Sequence, residues 1–155
     1  MNKINYHLYF GKAGHLFVMS EFLLRGWNVA IPEVDEDDDI FVVKHELGRL
    51  IRIQVKTSRA KLQKDGFSAT FSLSTKQLED VSKNDIFYVF LVRGEDAWER
   101  PIIISREALF ENLVDTILIS SSKNQTVRLS FKKGAVLLKN TDFTKYQNNF
   151  IDFEI

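Results

Sequence analysis

Apolar residues along the chain repeat with two periods, and the change from one to the other marks out the elements. Leu16, Phe17, Val18, Met19, Phe22, Leu23 and Leu24 surround a helix expected from about Ala13 to Arg25, preceded by Gly11 and Gly14 and closed by Gly26 as a C-cap. A helix apolar on every side is expected to be buried. Trp27 to Ile31 reads as a short strand ended by Pro32, followed by an acidic loop. Ile40 to Val43 is a second strand, His45 to Gly48 a turn, and Leu50 to Lys56 a third strand. Lys61 to Gly66 reads as a loop. Beyond it Phe67, Ala69, Phe71 and Leu73 alternate with polar residues, the pattern of a half-buried strand. Ser74 or Thr75 is expected to cap a short helix reaching Val81, and Asn84-Asp85 leads into Ile86 to Val92. That run is apolar on both faces and belongs in the middle of a sheet. After a turn at Gly94 to Asp96, Trp98 to Ile104 is predicted as a strand, and Ser105 caps a helix carrying Ala108, Leu109, Leu113 and Val114. Thr126 to Phe131 and Ala135 to Leu138 are two further strands with a hairpin turn at Lys132-Lys133-Gly134, before a polar C-terminal stretch bearing Tyr146, Phe150 and Phe153.

With 155 residues, 45% of them hydrophobic, the chain is long enough to bury a substantial core, and a single domain over 1–155 is expected. There is no Cys, which excludes disulfides and thiolate metal sites and fits a reducing compartment. No signal-peptide pattern and no apolar run of membrane-spanning length is present, so a soluble cytoplasmic protein without a membrane partner is expected. Formal net charge is zero, and charge distribution is more informative. Six carboxylates lie between Glu33 and Asp39, whereas Lys44, Arg49, Arg52, Lys56, Arg59, Lys61 and Lys64 follow nearly unopposed. Acids that recruit a cation beside bases that hold a backbone suit a phosphodiester; the plain alternative is a solvated loop beside a solvated strand edge.

Candidate chemistry concentrates between Asp39 and Lys56. Side chains alternate along a strand, so Gln54 and Lys56 share a face while Val55 points the other way. Two neighbouring strands would bring Asp39 to that face, and a Lys beside a carboxylate can stabilise negative charge developing on phosphate. At these residues the chain resembles the PD-(D/E)xK nuclease superfamily, in which a helix precedes strands carrying an Asp and then an acidic-x-Lys pair. The superfamily includes many restriction endonucleases and the archaeal Holliday-junction resolvases. Asp39 matches its Asp, and Gln54-Val55-Lys56 matches acidic-x-Lys with Gln in the acid's place, as in certain bacterial intron-encoded endonucleases. The likeness runs clearly from about Gly11 to Ser58.

The resemblance implies an α/β fold with a restriction-endonuclease-like mixed β-sheet flanked by helices. It implies Mg²⁺ or Mn²⁺ held by Asp39, Gln54 or a nearby carbonyl, with Asp38 competing for the ligand role, and Lys56 orienting the nucleophile. Where relatives read Gly-Glu at the first helix, this chain reads Gly14-His15, so His15 stands where an acid would help place the metal or water. Glu21 is the other acid on that helix; an i,i+4 ion pair with Arg25 is its structural alternative. Arg52, Thr57, Ser58, Arg59 and Lys61 are expected to touch nucleic acid. DNA is the expected partner, with RNA and a homodimer as further options. The expected activity is metal-dependent endonucleolytic hydrolysis; the alternative is a catalytically silent relative that binds nucleic acid or a protein. The last two-thirds of the chain reads as scaffold.

Overall fold

The computed structural model describes residues 3–33, 38–44, 48–82, 86–119, 122–150 and 153. Asp35 to Asp37, His45 to Leu47 and Asn84-Asp85 lie outside them. Helix α1 (Lys3–Leu24) leads into the strands β1 (Asn28–Ala30), β2 (Ile40–Lys44) and β3 (Arg49–Arg59). A hairpin of β4 (Lys61–Gln63) and β5 (Gly66–Ser74), the short helix α2 (Thr75–Glu79) and β6 (Ile86–Arg93) follow. The chain continues through β7 (Ile102–Ser105), α3 (Arg106–Ile119), β8 (Asn124–Lys132), β9 (Ala135–Leu138) and β10 (Thr141–Asp142).

Among the described residues two five-stranded sheets result. The first, ordered β1-β2-β3-β6-β7, is mixed: β3 and β6 run parallel and the other neighbours antiparallel. The second, ordered β10-β9-β8-β5-β4, is wholly antiparallel. Alternation along β3 and β6 gives the first sheet two apolar faces. Ile51, Ile53, Val55, Phe87, Val89 and Leu91 pack with Val18 and Phe22 of α1, whereas Tyr88, Phe90 and Val92 pack with Ala69, Phe71 and Leu73 of the second sheet and Leu109 and Leu113 of α3. The strand predicted to be central, Ile86 to Val92, does lie between β3 and β7 with both faces buried.

Several local expectations change. Helix α1 begins about ten residues earlier than predicted and contains both glycines read as preceding it. Gly14 is there because of packing: a Cβ on it would lie 2.3 Å from Cγ2 of Thr57, so only glycine lets the helix cross β3 this closely. The added turns are held by Phe10, whose ring lies 5.3 Å from that of Trp98. Nor is α1 buried all round. Val18 and Phe22 are covered, but Leu16, Leu23 and Leu24 are exposed, because the helix meets only one sheet face. Its end is as predicted: Gly26 (φ 80°) accompanies bonds from Gly26 N to Leu23 O and from Trp27 N to Phe22 O, which satisfy the last carbonyls.

The predicted loop at Lys61 to Gly66 contains β4, and the predicted strand from Trp98 begins only at Ile102. Pro101 lacks the N–H a ladder needs, and Trp98 contributes one isolated bridge to Arg93 instead. The hairpin turn at Lys133-Gly134 stands as expected, with both residues at positive φ. Phe150 and Phe153, in a stretch read as polar, return to the core. Their rings lie 5.3 and 5.1 Å from that of Phe22, edge to face, and help fix α1 to the sheet.

Candidate active site

The site forms where the first sheet changes width. Strand β2 pairs with β3 only as far as Ile53, whereas β6 accompanies β3 from Arg52 to Arg59. Asp39, the residue before β2, therefore sits at the margin, anchored by its N–H donating to Ile53 O at 3.1 Å. Its carboxylate Oδ2 accepts from the Val55 N–H and from Gln54 Nε2, each at 2.7 Å. At this margin a side chain from α1 can reach the same group: His15 Nε2 stands 3.5 Å from Asp39 Oδ1. The close crossing at Gly14 and Thr57 is what brings His15 to this point.

Gln54 and Lys56 share the face that carries Tyr88 and Phe90 on β6. Lys56 is half-buried, and among the described residues its ammonium group has no hydrogen bond or ion pair. Gln54 is 7% exposed and its amide is used at both ends, since Oε1 accepts from Gln77 Nε2 at 2.8 Å. Gln77 lies in the part of the chain read as scaffold. Sequence reasoning missed it, because a lone Gln in a short helix carries no signal of a buried contact. Its position is strongly determined. Ser74 Oγ accepts from Gln77 N, Arg106 Nη1 donates to Leu78 O at 2.8 Å, and Gln125 Nε2 donates to Thr75 Oγ1.

The remaining candidates fall elsewhere. Glu21 faces Arg25, with its carboxylate 2.9 Å from Nη1, the i,i+4 pair that was its structural alternative. Asp38 is buried and accepts from Nε of Arg52 at 2.8 Å and from Nη2 of the same guanidinium. Arg52 therefore does not stand unopposed, and Asp38 spends one oxygen on it. Thr57 carries the methyl group against Gly14, and Ser58 Oγ accepts from Thr70 N at 3.4 Å. Arg59 lies over the rings of Tyr6 and Phe10 at 5.2 and 5.1 Å. With His7, Thr57 and Ser58 these residues line one groove running along β3 from the site. Lys61 is exposed at the start of β4.

The donor set can be tested against a divalent cation. No group of three His, Cys, Asp or Glu side chains is gathered among the described residues. Asp39 supplies one carboxylate and His15 one imidazole; Gln54 could add a neutral oxygen. Hard and borderline donors of this kind fit Mg²⁺ or Mn²⁺, which retain several waters. As the amides stand, however, Gln54 turns its NH₂ and not its oxygen toward Asp39.

No protein-family model matches the sequence, and no curated protein matches it. Among solved structures the chain is similar to the bacterial homing endonuclease I-Ssp6803I, with a TM-score of 0.55 and 17% identity, over 93% of this chain and 88% of that one. It is also similar to Hjc, a Holliday junction resolvase from Archaeoglobus fulgidus, with a TM-score of 0.45 and 13% identity, over 76% of this chain and 82% of that one. The chain thus shares the fold of that homing endonuclease, with a mixed α/β architecture. No helix among the described residues is long and apolar enough to cross a membrane.

Proposed function

We propose that the protein is a divalent-cation-dependent endonuclease acting on DNA. The observation that carries this is the convergence of His15, Asp39 and Gln54 at the margin of the mixed sheet, two positions along β3 from Lys56, whose ammonium group has no partner among the described residues, within a nuclease fold. Mg²⁺ or Mn²⁺, when bound, would supply Lewis-acid polarisation of the phosphodiester and of water. Asp39 is the residue that would hold it, assisted by Gln54 and His15. The Val55 N–H and the Gln54 amide keep the Asp39 carboxylate in one orientation before any substrate arrives. Lys56 presents an ammonium group whose charge stabilises the negative charge that grows on the phosphate oxygens during in-line attack. Its half-burial strengthens that effect relative to water. Arg59 and Lys61, beyond the site along the strand and hairpin, suit contacts to flanking phosphates, which position a backbone without reading its sequence.

A second reading is favoured by a specific observation. The Gln54 NH₂ occupies Asp39 Oδ2, as expected of a site that binds nucleic acid without cutting it. The test uses a mixture of linear, branched and supercoiled DNA with Mg²⁺ or Mn²⁺, comparing the protein with its Lys56→Ala variant. Metal-dependent cleavage lost in a variant that still binds DNA supports the nuclease. Binding without cleavage by either protein favours the silent relative.

A further inference from the structure

The orientations of Gln54 and Gln77 follow from the donors and acceptors around them. An ionised Asp39 only accepts, so the end of the Gln54 amide 2.7 Å from Oδ2 is its NH₂. This directs the Gln54 carbonyl oxygen away from the site to Gln77, whose nearer end, at 2.8 Å, is then an NH₂ as well. The two residues form a chain with one direction: Gln77 donates to Gln54, and Gln54 donates to Asp39. A cation on Asp39 reverses the demand, because the neighbouring amide then gains by presenting its oxygen. Gln54 can turn over without losing its buried partner only if Gln77 turns too and offers its oxygen to the displaced NH₂. Both residues are more than nine-tenths buried, at 7% and 6% exposure, so an unmatched end would leave a polar group without solvent to replace the bond. An amide at position 77 can serve either state; a side chain that only accepts can serve one.

We propose that Gln77 is a positioning residue that sets which end of the Gln54 amide meets Asp39, and that the two amides reverse together when a divalent cation binds. This rests on the function proposed above and deepens it. It gives α2 a role in cation uptake and makes cation affinity depend on a residue that does not itself touch the ion.

Gln77→Glu is nearly isosteric and accepts only. It holds the Gln54 NH₂ toward position 77 and leaves the Gln54 oxygen facing Asp39, ready for a cation. The expected result is Mg²⁺ binding tightened about fivefold, the ratio corresponding to one ordinary net hydrogen bond. An added negative charge could tighten binding by itself, so the substitution is repeated in a Gln54→Met background, where the tightening should vanish if it acts through the amide. Mg²⁺ affinity is read by calorimetry, with circular dichroism confirming that each variant is folded. In the unmodified protein, side-chain amide NMR resonances of both Gln54 and Gln77 should move during a Mg²⁺ titration with one midpoint. Equal tightening in both backgrounds, or movement of Gln54 without Gln77, overturns the inference and leaves the nuclease reading standing. Absence of any saturable Mg²⁺ binding to the unmodified protein overturns both.

Discussion

Replacing Gly14 with alanine should destabilise this protein, although the same change at an unconstrained helix position stabilises. Inside a helix, alanine is better than glycine by about 0.8–1.0 kcal/mol. Here the new Cβ would lie 2.3 Å from Thr57 Cγ2, more than an ångström inside normal contact, and 3.5 Å from Leu91 Cδ2. Relief requires Thr57 to leave its rotamer or α1 to lift from β3, and overpacking of this kind costs about 1–3 kcal/mol. The expected net loss is about 1 kcal/mol, the difference between a mid-range clash and the helical gain. Thr57→Ser removes the offending methyl, so in that background Gly14→Ala should stabilise instead, and the sign of the effect inverts. Urea unfolding at constant slope measures all four proteins, and the cycle isolates the contact. Because Gly14 precedes His15, the single variant should also cleave more slowly as the imidazole is displaced from Asp39, and the double variant should recover. Stabilisation by Gly14→Ala alone, or an equal shift in both backgrounds, would refute the close crossing as the reason for the glycine.

Other substitutions separate the site from its surroundings. Glu21→Gln should leave cleavage unchanged within about twofold and cost no more than about 0.5 kcal/mol, as for other partly exposed i,i+4 pairs; a large loss of rate with folding intact would return Glu21 to the catalytic group. Arg59→Ala should weaken DNA binding and reduce the slope of log affinity against log salt by about one, as for the loss of one phosphate contact, in a fluorescence anisotropy titration at several ionic strengths. An unchanged slope would mean that its contact with Tyr6 and Phe10 is structural.

Much of the first sheet was legible because its signals are local. Gly26 ends α1, Ser105 Oγ accepts from Ala108 N to begin α3, and the unbroken apolar run from Ile86 occupies the sheet centre. The short motif also placed Asp39 beside Gln54, since one antiparallel turn between neighbouring strands suffices to do so. The misses arose where tertiary contact overrides local preference. Gly11 and Gly14 looked like a boundary by propensity, but the helix passes through them. The exposure of Leu16, Leu23 and Leu24 depends on how many layers cover α1, which periodicity does not state. The Asp38–Arg52 pair spans fourteen positions and gives no signal in either segment alone. Gln77 is the sharpest case. It lies 23 positions from Gln54, on a separate helix, and nothing about a lone Gln distinguishes a buried site contact from a surface residue.

The most direct test of the proposed active site is the initial rate at which supercoiled DNA is nicked in Mn²⁺ by the protein and by Asp39→Asn, at equal concentrations of folded protein. Asn keeps the size of the side chain and one acceptor for the Val55 N–H, but removes the charge on which cation binding depends. Catalysis centred on Asp39 predicts nicking by the unmodified protein and a loss of at least about a hundredfold in the variant, the scale of removing one principal electrostatic contributor from an active site. Nicking retained at a comparable rate by Asp39→Asn would contradict it.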